Sequence, residues 1–195
     1  MPVERIRGQF EQTSLFSFHA VSEENVLKAI GKASRKNSSG PDGISMAIIK
    51  DAAEVLATPL TRIINVSFAQ GYFPAKWKTA HITPVLKKGD ATNVADYRPV
   101  ALLNSFSKIA ESLAQEQMSR HLEEENILPE CQHGYPKHRS TVSALLDVCS
   151  AWEAASQKGL TTGIVIFDLS AAFNCLNAQI MDEKLKTRRD NALPK

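Results

Sequence analysis

Apolar residues recur every three to four positions in several stretches of this chain, the spacing that places them along one face of an α-helix. The first such stretch begins after Ser22. Glu23 and Glu24 fill an opening turn, where acids complement the helix dipole, and Val26, Leu27, Ile30 and Ala33 follow as a stripe. The polar run KNSSGPDGIS ends the pattern. Within it Pro41 presets φ and Gly43 tolerates left-handed backbone, so Pro41-Asp42-Gly43 predicts a tight turn. A second helix is expected with Ile48, Ile49, Ala52 and Leu56 inward. Thr58-Pro59 is a good cap and first-turn pair for a third helix, which carries Leu60, Ile63, Ile64, Ser67 and Phe68 and closes at Gly71. Residues 1–20 show no period and are expected to form an irregular or extended lead-in.

The period then changes. AHITPVLKKGDA predicts a strand through Ile82, Val85 and Leu86 that enters a basic Gly-Asp turn, and YRPVALL predicts its return, so 79–103 is expected to be a hairpin. Pro84 cannot donate to a ladder and pushes the first strand to a sheet edge. Ser105 or Ser107 opens a long helix with Ile109, Leu113, Met118 and Leu122 on one face, ending near Asn126. The segment CQHGYPKHRST has no period. Ser140-Thr141 begins another amphipathic helix, with Val142, Leu145, Leu146, Cys149 and Trp152 at helical spacing and Gly159 as its stop. Residues 164–167, IVIF, are continuously apolar, as a strand buried on both faces would be. Asp168 and a short helix follow. The expected class is α/β (α+β), with helices leading and strands few.

Composition narrows this picture without redirecting it. With 43% hydrophobic and 23% charged residues, the 195-residue chain is neither fibrous nor disordered, and its length suits one domain or slightly more. A net charge of +2 permits a nucleic-acid partner without demanding one. Lys76, Lys78, Lys87 and Lys88 form a basic stretch and Glu123, Glu124 and Glu125 an acidic one, and solvated faces of ordinary elements account for either. The three cysteines contain no C-x-x-C pair, which argues against a disulfide framework and fits a reducing compartment. Cys131, His133 and His138 match none of the usual structural zinc spacings. No apolar run approaches the ~20 residues of a membrane helix. The expectation is a soluble, intracellular protein, with nucleus and cytoplasm both open.

Asp168 is the first candidate for chemistry, because acids at the carboxyl ends of strands lie where α/β proteins place ligands. Two readings compete. Asp168 or Ser170 caps the short helix that follows, or the Asp168 carboxylate holds a divalent metal.

Other stretches bear on that choice. SSGPDGI, then ATPLTRIINVSFAQGYFPAKWKTAHITPVLKKGDATNVADYRPVALLNSFSKIAE, then QHGYPKHRST, then GIVIFDLSAAFN occur in order. Together they resemble the reverse transcriptase domain of non-LTR (LINE-type, jockey-like) retrotransposons. The resemblance implies a partial right-hand polymerase fold over residues 21–186: helix-rich fingers with a β-hairpin, then the first strand of the palm sheet. The lead-in 1–20 precedes it and a divergent polar tail, 187–195, follows. By the same resemblance Asp168 binds the catalytic metal, Mg2+ or Mn2+, and the backbone around Leu169 approaches the incoming dNTP. Phe173 resembles the steric gate that excludes a ribose 2′-hydroxyl. Lys87, Lys88 and Arg98 would reach the triphosphate, with no choice made between the two lysines. Tyr135, Lys137 and Arg139, with His138 beside them, would lie along the template strand. The implied partners are an RNA template, a DNA primer and dNTP, with no membrane and an open oligomeric state.

The chain departs from the family pattern in three places. Asn174 stands where an Asp is usual, and Pro136 where an Arg is usual. The 195 residues also contain no Asp-Asp pair, the motif that completes a two-metal phosphoryl-transfer site. The expectation is a truncated domain without polymerase activity by itself, whose palm strand exposes an unpaired apolar edge. The alternative is a non-catalytic nucleic-acid-binding module or relic that uses the basic fingers surface.

Overall fold

The computed structural model describes residues 16–87, 89–169 and 172–181, and of Phe173 and Asn174 the backbone alone. The chain separates into two compact units, Ser17–Arg120 and a second made of Met1–Phe16 with His121–Lys195.

The first unit starts with α1, Glu23–Lys32. Ser22 Oγ accepts from the Asn25 N–H at 3.2 Å and Asn25 Oδ1 accepts from the Ser22 N–H at 2.9 Å, a reciprocal cap that satisfies two otherwise orphaned donors. Val26 and Ile30 are buried, as the stripe predicts. The expected turn forms: the Gly43 N–H donates to the Gly40 carbonyl at 3.1 Å, and Gly43 has φ +70°.

Two helices follow, α2 at Met46–Asp51 and α3 at Ala53–Gln70. The break between them falls at Ala52 (φ −105°, ψ 17°), six residues before the predicted cap at Thr58, and Pro59 lies inside α3. Pro59 removes one rung of the helix, the bond to the Val55 carbonyl. Val55 is 79% exposed, so water can serve that carbonyl instead. The earlier break also resets the phase of the stripe. Met46, Ala47 and Ile49 face inward while Ile48 is exposed, and Leu60, Thr61, Ile64 and Ser67 are buried while Ile63 is exposed. Gly71, in the left-handed region, ends α3, with the Tyr72 N–H on the Ser67 carbonyl at 3.1 Å.

The lead-in is more ordered than its sequence suggests where the structure describes it. Asn65 Oδ1 accepts from the Val21 N–H at 2.8 Å and its Nδ2 donates to the Val21 carbonyl at 3.0 Å. Gln117 does the same for His19, at 2.8 and 3.0 Å. Alternate residues of an extended segment are thus gripped by side-chain amides, and Phe18 stacks on Phe68 with ring centroids 4.5 Å apart.

The hairpin forms as predicted. β1, Ala80–Leu86, pairs antiparallel with β2, Tyr97–Leu103, in the register Ala80↔Leu103 to Leu86↔Tyr97. Pro84 lies opposite Pro99. The Lys87 N–H donates to the Asp96 carbonyl at 2.9 Å, which makes the odd-numbered residues of β1 the hydrogen-bonded positions. Both prolines therefore turn their missing N–H outward. The ladder loses nothing, and each outer edge is blocked at its centre. At the base, Asn104 Nδ2 donates to the Lys76 carbonyl at 2.8 Å and ties the two legs together. The helix α4, Ser105–Glu124, then packs Ile109, Ala110 and Leu113 into a core shared with Val26, Ile30, Ile49, Leu60 and Ile64. Met118 is exposed and Leu122 half-buried, so the predicted stripe of α4 is inward only in its first half.

In the second unit the chain turns away from α4 at Asn126 (φ 50°), two residues past the helix's last residue Glu124, and the Ile127 N–H reaches the Leu122 carbonyl at 3.0 Å. A loop leads to α5, Thr141–Gln157, whose cap is the reciprocal pair Ser140 and Ser143. The expected stripe of α5 is exposed, Leu145 at 60% and Leu146 at 61%. The expected palm strand is not a strand. Residues 161–169 pair with no neighbour among the described residues, and Ile166 and Phe167 are 87% and 89% exposed. An extended run becomes a strand when a partner takes its backbone hydrogen bonds, and none of the described residues does so here. A 3₁₀ turn, Ala172–Cys175, and a helical turn at 178–181 follow. Ser170 and the tail 187–195 lie outside the described residues.

Candidate functional site

The first-unit residues expected to meet phosphate lie on or beside the hairpin. Alternation puts Ile82, Pro84, Leu86, Tyr97, Pro99 and Ala101 on one face. The other face carries Thr83, Val85, Arg98 and Val100, and the next rung adds Lys87, diagonal to Arg98 across the Val85↔Arg98 pair. Both cations are exposed, and neither side chain makes a hydrogen bond or ion pair among the described residues. Lys88 lies outside the described residues.

The turn that joins the strands is built around one carboxylate. Asp96 Oδ2 accepts from the Asp90 N–H at 3.0 Å, and the turn brings Gly89 (φ +97°) so close that a Cβ there would lie 2.5 Å from that oxygen. The Thr92 backbone N–H, donating to Asp90 Oδ1 at 2.9 Å, holds the Asp90 carboxyl below its ordinary value. Tyr97 Oη donates to the Ala91 carbonyl at 2.9 Å. Sequence pattern alone did not single out Asp96. Its signal was the D-Y-R-P context, in which an acid directly precedes the returning strand.

In the second unit the loop between Ile127 and Ser140 displays Tyr135, 85% exposed and in left-handed backbone at φ 75°, together with exposed Lys137 and His138 (φ 61°). Arg139 does not share that display. Its Nη1 donates to the carbonyls of Glu130 and of Gln132, the latter at 2.9 Å, with Pro129 at 3.5 Å. His133 lies beneath the loop with both ring nitrogens engaged, Nδ1 at 2.8 Å from Ser143 Oγ and Nε2 at 3.0 Å from Asp147 Oδ2. Its side chain is 16% exposed, against 71% for Asp147. His133 was noted in the sequence for its place near Cys131 and His138, and its partners 10 and 14 positions on gave no local signal.

Asp168 and Leu169 also belong to the second unit, on the exposed segment after Phe167. The Asp168 carboxylate has no partner among the described residues, and no group of three His, Cys, Asp or Glu side chains among them could hold a metal ion. Phe173 sits in the 3₁₀ turn Ala172–Cys175, and its side chain, on which the steric-gate expectation rests, lies outside what is described. No described helix is long and apolar enough to cross a membrane.

Comparison with known proteins connects these pieces. Residues 85–191, more than half of the chain, match the family model described as reverse transcriptase (RNA-dependent DNA polymerase). The chain is 31% identical over 157 residues to the RNA-directed DNA polymerase from mobile element jockey of Drosophila melanogaster, covering 80% of this chain and 17% of that protein. It is 32% identical over 120 residues to the probable RNA-directed DNA polymerase from transposon BS of the same organism, covering 61% and 13% respectively. The retrovirus-related Pol polyprotein from type-1 retrotransposable element R2 of Popillia japonica is 23% identical over 164 residues, 83% of this chain and 21% of that protein. The chain thus spans between an eighth and about a fifth of the length of these relatives.

Proposed function

The chain belongs to the reverse transcriptase (RNA-dependent DNA polymerase) family, and from that premise we propose that it forms the fingers and the opening of the palm of a jockey-like retrotransposon polymerase. In this reading the hairpin holds the triphosphate of an incoming dNTP, and the 127–140 loop follows the RNA template that, with a DNA primer, completes the substrate. The observation that carries the reading is the pair of exposed cations, Lys87 and Arg98, on one face of the hairpin, neither engaged by another side chain among the described residues. Phosphoryl transfer depends on positioning and on charge, and a guanidinium beside an ammonium suits a triphosphate. The shared face also favours Lys87 as the lysine that acts with Arg98.

Reverse transcriptases in general use divalent metal ions. We assign one ligand to Asp168 and the ion to Mg2+ or Mn2+, which take carboxylate and phosphate oxygens. The described residues do not fit such an ion by themselves, since one carboxylate is not a site and the 195 residues contain no Asp-Asp pair. Their own chemistry in this reading is therefore binding and positioning, with the steric gate at Phe173 and the backbone near Leu169 as further contacts.

Two measurements on the purified 195-residue chain test this. Primer extension on an RNA template with Mg2+ or Mn2+ is expected to give no product, and processive synthesis would overturn the catalytic part. Binding of single-stranded RNA and of dNTP at low salt is expected to be detectable and to weaken as salt rises, because phosphate contacts release counterions. Lys87→Ala and Arg98→Ala should each weaken dNTP binding, and full retention in both would remove the triphosphate assignment. A non-catalytic nucleic-acid-binding role is the second reading. The same exposed cations favour it, and RNA binding without synthesis is its signature.

A further inference from the structure

The 127–140 loop contains two kinds of cation, and the structure treats them differently. Lys137 is exposed and makes no hydrogen bond or ion pair among the described residues. Arg139 spends its Nη1 on the carbonyls of Glu130 and Gln132, with that of Pro129 at 3.5 Å. One guanidinium nitrogen thereby gathers the start of the loop against its end. A short-range bond, the Gln132 N–H on the Pro129 carbonyl at 2.9 Å, lies inside the gathered segment. His133 adds a second fastening, from the middle of the loop to the first two turns of α5 through Ser143 and Asp147.

These ties also explain where strain is tolerated. Tyr135 and His138 both occupy left-handed backbone, which side chains other than Gly disfavour. Such conformations persist where surrounding bonds over-determine them. The result is a loop closed at its neck by Arg139, seated by His133, and displaying Tyr135 and Lys137 outward.

We propose that Arg139 is a positioning residue that knots this loop, and that Tyr135 and Lys137, not Arg139, are the groups that meet the template. The proposal rests on the template reading of the loop given above and revises the expectation that all three touch RNA. All three carbonyl contacts run from the single nitrogen Nη1. A lysine ammonium keeps the charge but ends a shorter, flexible stem without the rigid plane that aims this nitrogen at the loop's carbonyls.

Three variants of the full 195-residue chain separate a knot from a phosphate ligand: Lys137→Ala, Arg139→Ala and Arg139→Lys. Single-stranded RNA binding is measured across a salt series, and amide hydrogen exchange is read at Gln132 in the same proteins. Lys137→Ala is expected to lower the slope of log K against log salt by about 0.7, the signature of one lost phosphate contact. Arg139→Ala is expected to weaken binding about tenfold with the slope unchanged, and to speed exchange at Gln132 about tenfold. Arg139→Lys should match Arg139→Ala in both readouts despite keeping its charge. A slope lowered by Arg139→Ala and restored by Arg139→Lys, with exchange at Gln132 unaltered, would make Arg139 a phosphate ligand and overturn the proposal. If the unaltered chain binds no RNA at low salt, the template reading fails instead. The exchange arm then judges the knot separately, and unaltered exchange at Gln132 in both Arg139 variants rejects it.

Discussion

A Cβ on Gly40 would lie 2.6 Å from the Asn104 nitrogen and 2.7 Å from the Leu103 carbonyl carbon, both backbone atoms at the foot of the hairpin. Backbone cannot swing aside as a side chain can, so Gly40→Ala is expected to destabilise the first unit by about 1–3 kcal/mol, read as a lower urea midpoint. Charge at the residue scale matters differently. Arg35 grips Asp51 with two bonds of 2.7 and 2.9 Å, and that hydrogen-bonded guanidinium holds the Asp51 carboxyl below its ordinary value near 3.8. A carboxyl depressed in the folded state binds its proton more weakly there than when unfolded. Its stabilising contribution is therefore complete above the unfolded value and disappears as pH falls through the lowered one. Both side chains are more than half exposed, so the contribution to stability is small. The titration itself is the sharper measurement. In Arg35→Ala the Asp51 carboxyl, followed by NMR, should titrate at higher pH than in the unaltered chain, and an unmoved titration would show that the pair does not persist in solution.

At the scale of elements, the hairpin is the most exposed piece of regular structure in the first unit. Ile82 is 62% exposed and Val85 48%, and a two-stranded ribbon has two open edges. Such edges invite pairing with another chain. Pro84 and Pro99 answer this at the same level of the ladder, each removing the outward donor at the middle of its edge. Replacing both by Val should leave the hairpin's own ladder intact, because neither position donates across it. It should also increase self-association, measured by light scattering at fixed concentration. Unchanged scattering would mean that the exposed apolar face, not the edge, governs association.

For the molecule as a whole, the contrast between the two units is one of burial. Among the described residues, the buried apolar ones all belong to Ser17–Arg120, from Val21 to Leu113. In the second unit α5 has no buried residue, and the run from Ile164 to Phe167 is exposed. Protection against hydrogen exchange follows burial and contact density. The amides of α1, α3 and the first half of α4 should exchange through global opening, whereas those of α5 should exchange much faster through local opening. Equal protection in α5 and α3 would indicate that the apolar stripe of α5 is covered in solution. Soluble domains seldom leave so long an apolar run open, and replacing Leu145 and Leu146 by Gln should raise solubility without lowering the stability of the first unit.

The elements that were legible in the sequence are those whose signals lie within a few residues of one another. Ser22 with its acidic first turn, Pro41-Asp42-Gly43, Gly71 as a left-handed stop and the hairpin with its edge proline are all local statements, and the structure repeats them. So are the ordered blocks that pointed to a reverse transcriptase. Local pattern went astray where a short shift changes phase, as at Ala52, or where an element needs a distant partner, as at 164–167. The tertiary structure decided the rest. Gln117 grips His19 across 98 positions, Lys87 and Arg98 come to one face through the register of two strands, and Arg139 turns from the solvent to the carbonyls behind it. The physical reason is common to all three. A cap or a turn is encoded by the residues that form it, whereas a hydrogen bond between remote segments exists only after the chain has brought them within about 3 Å.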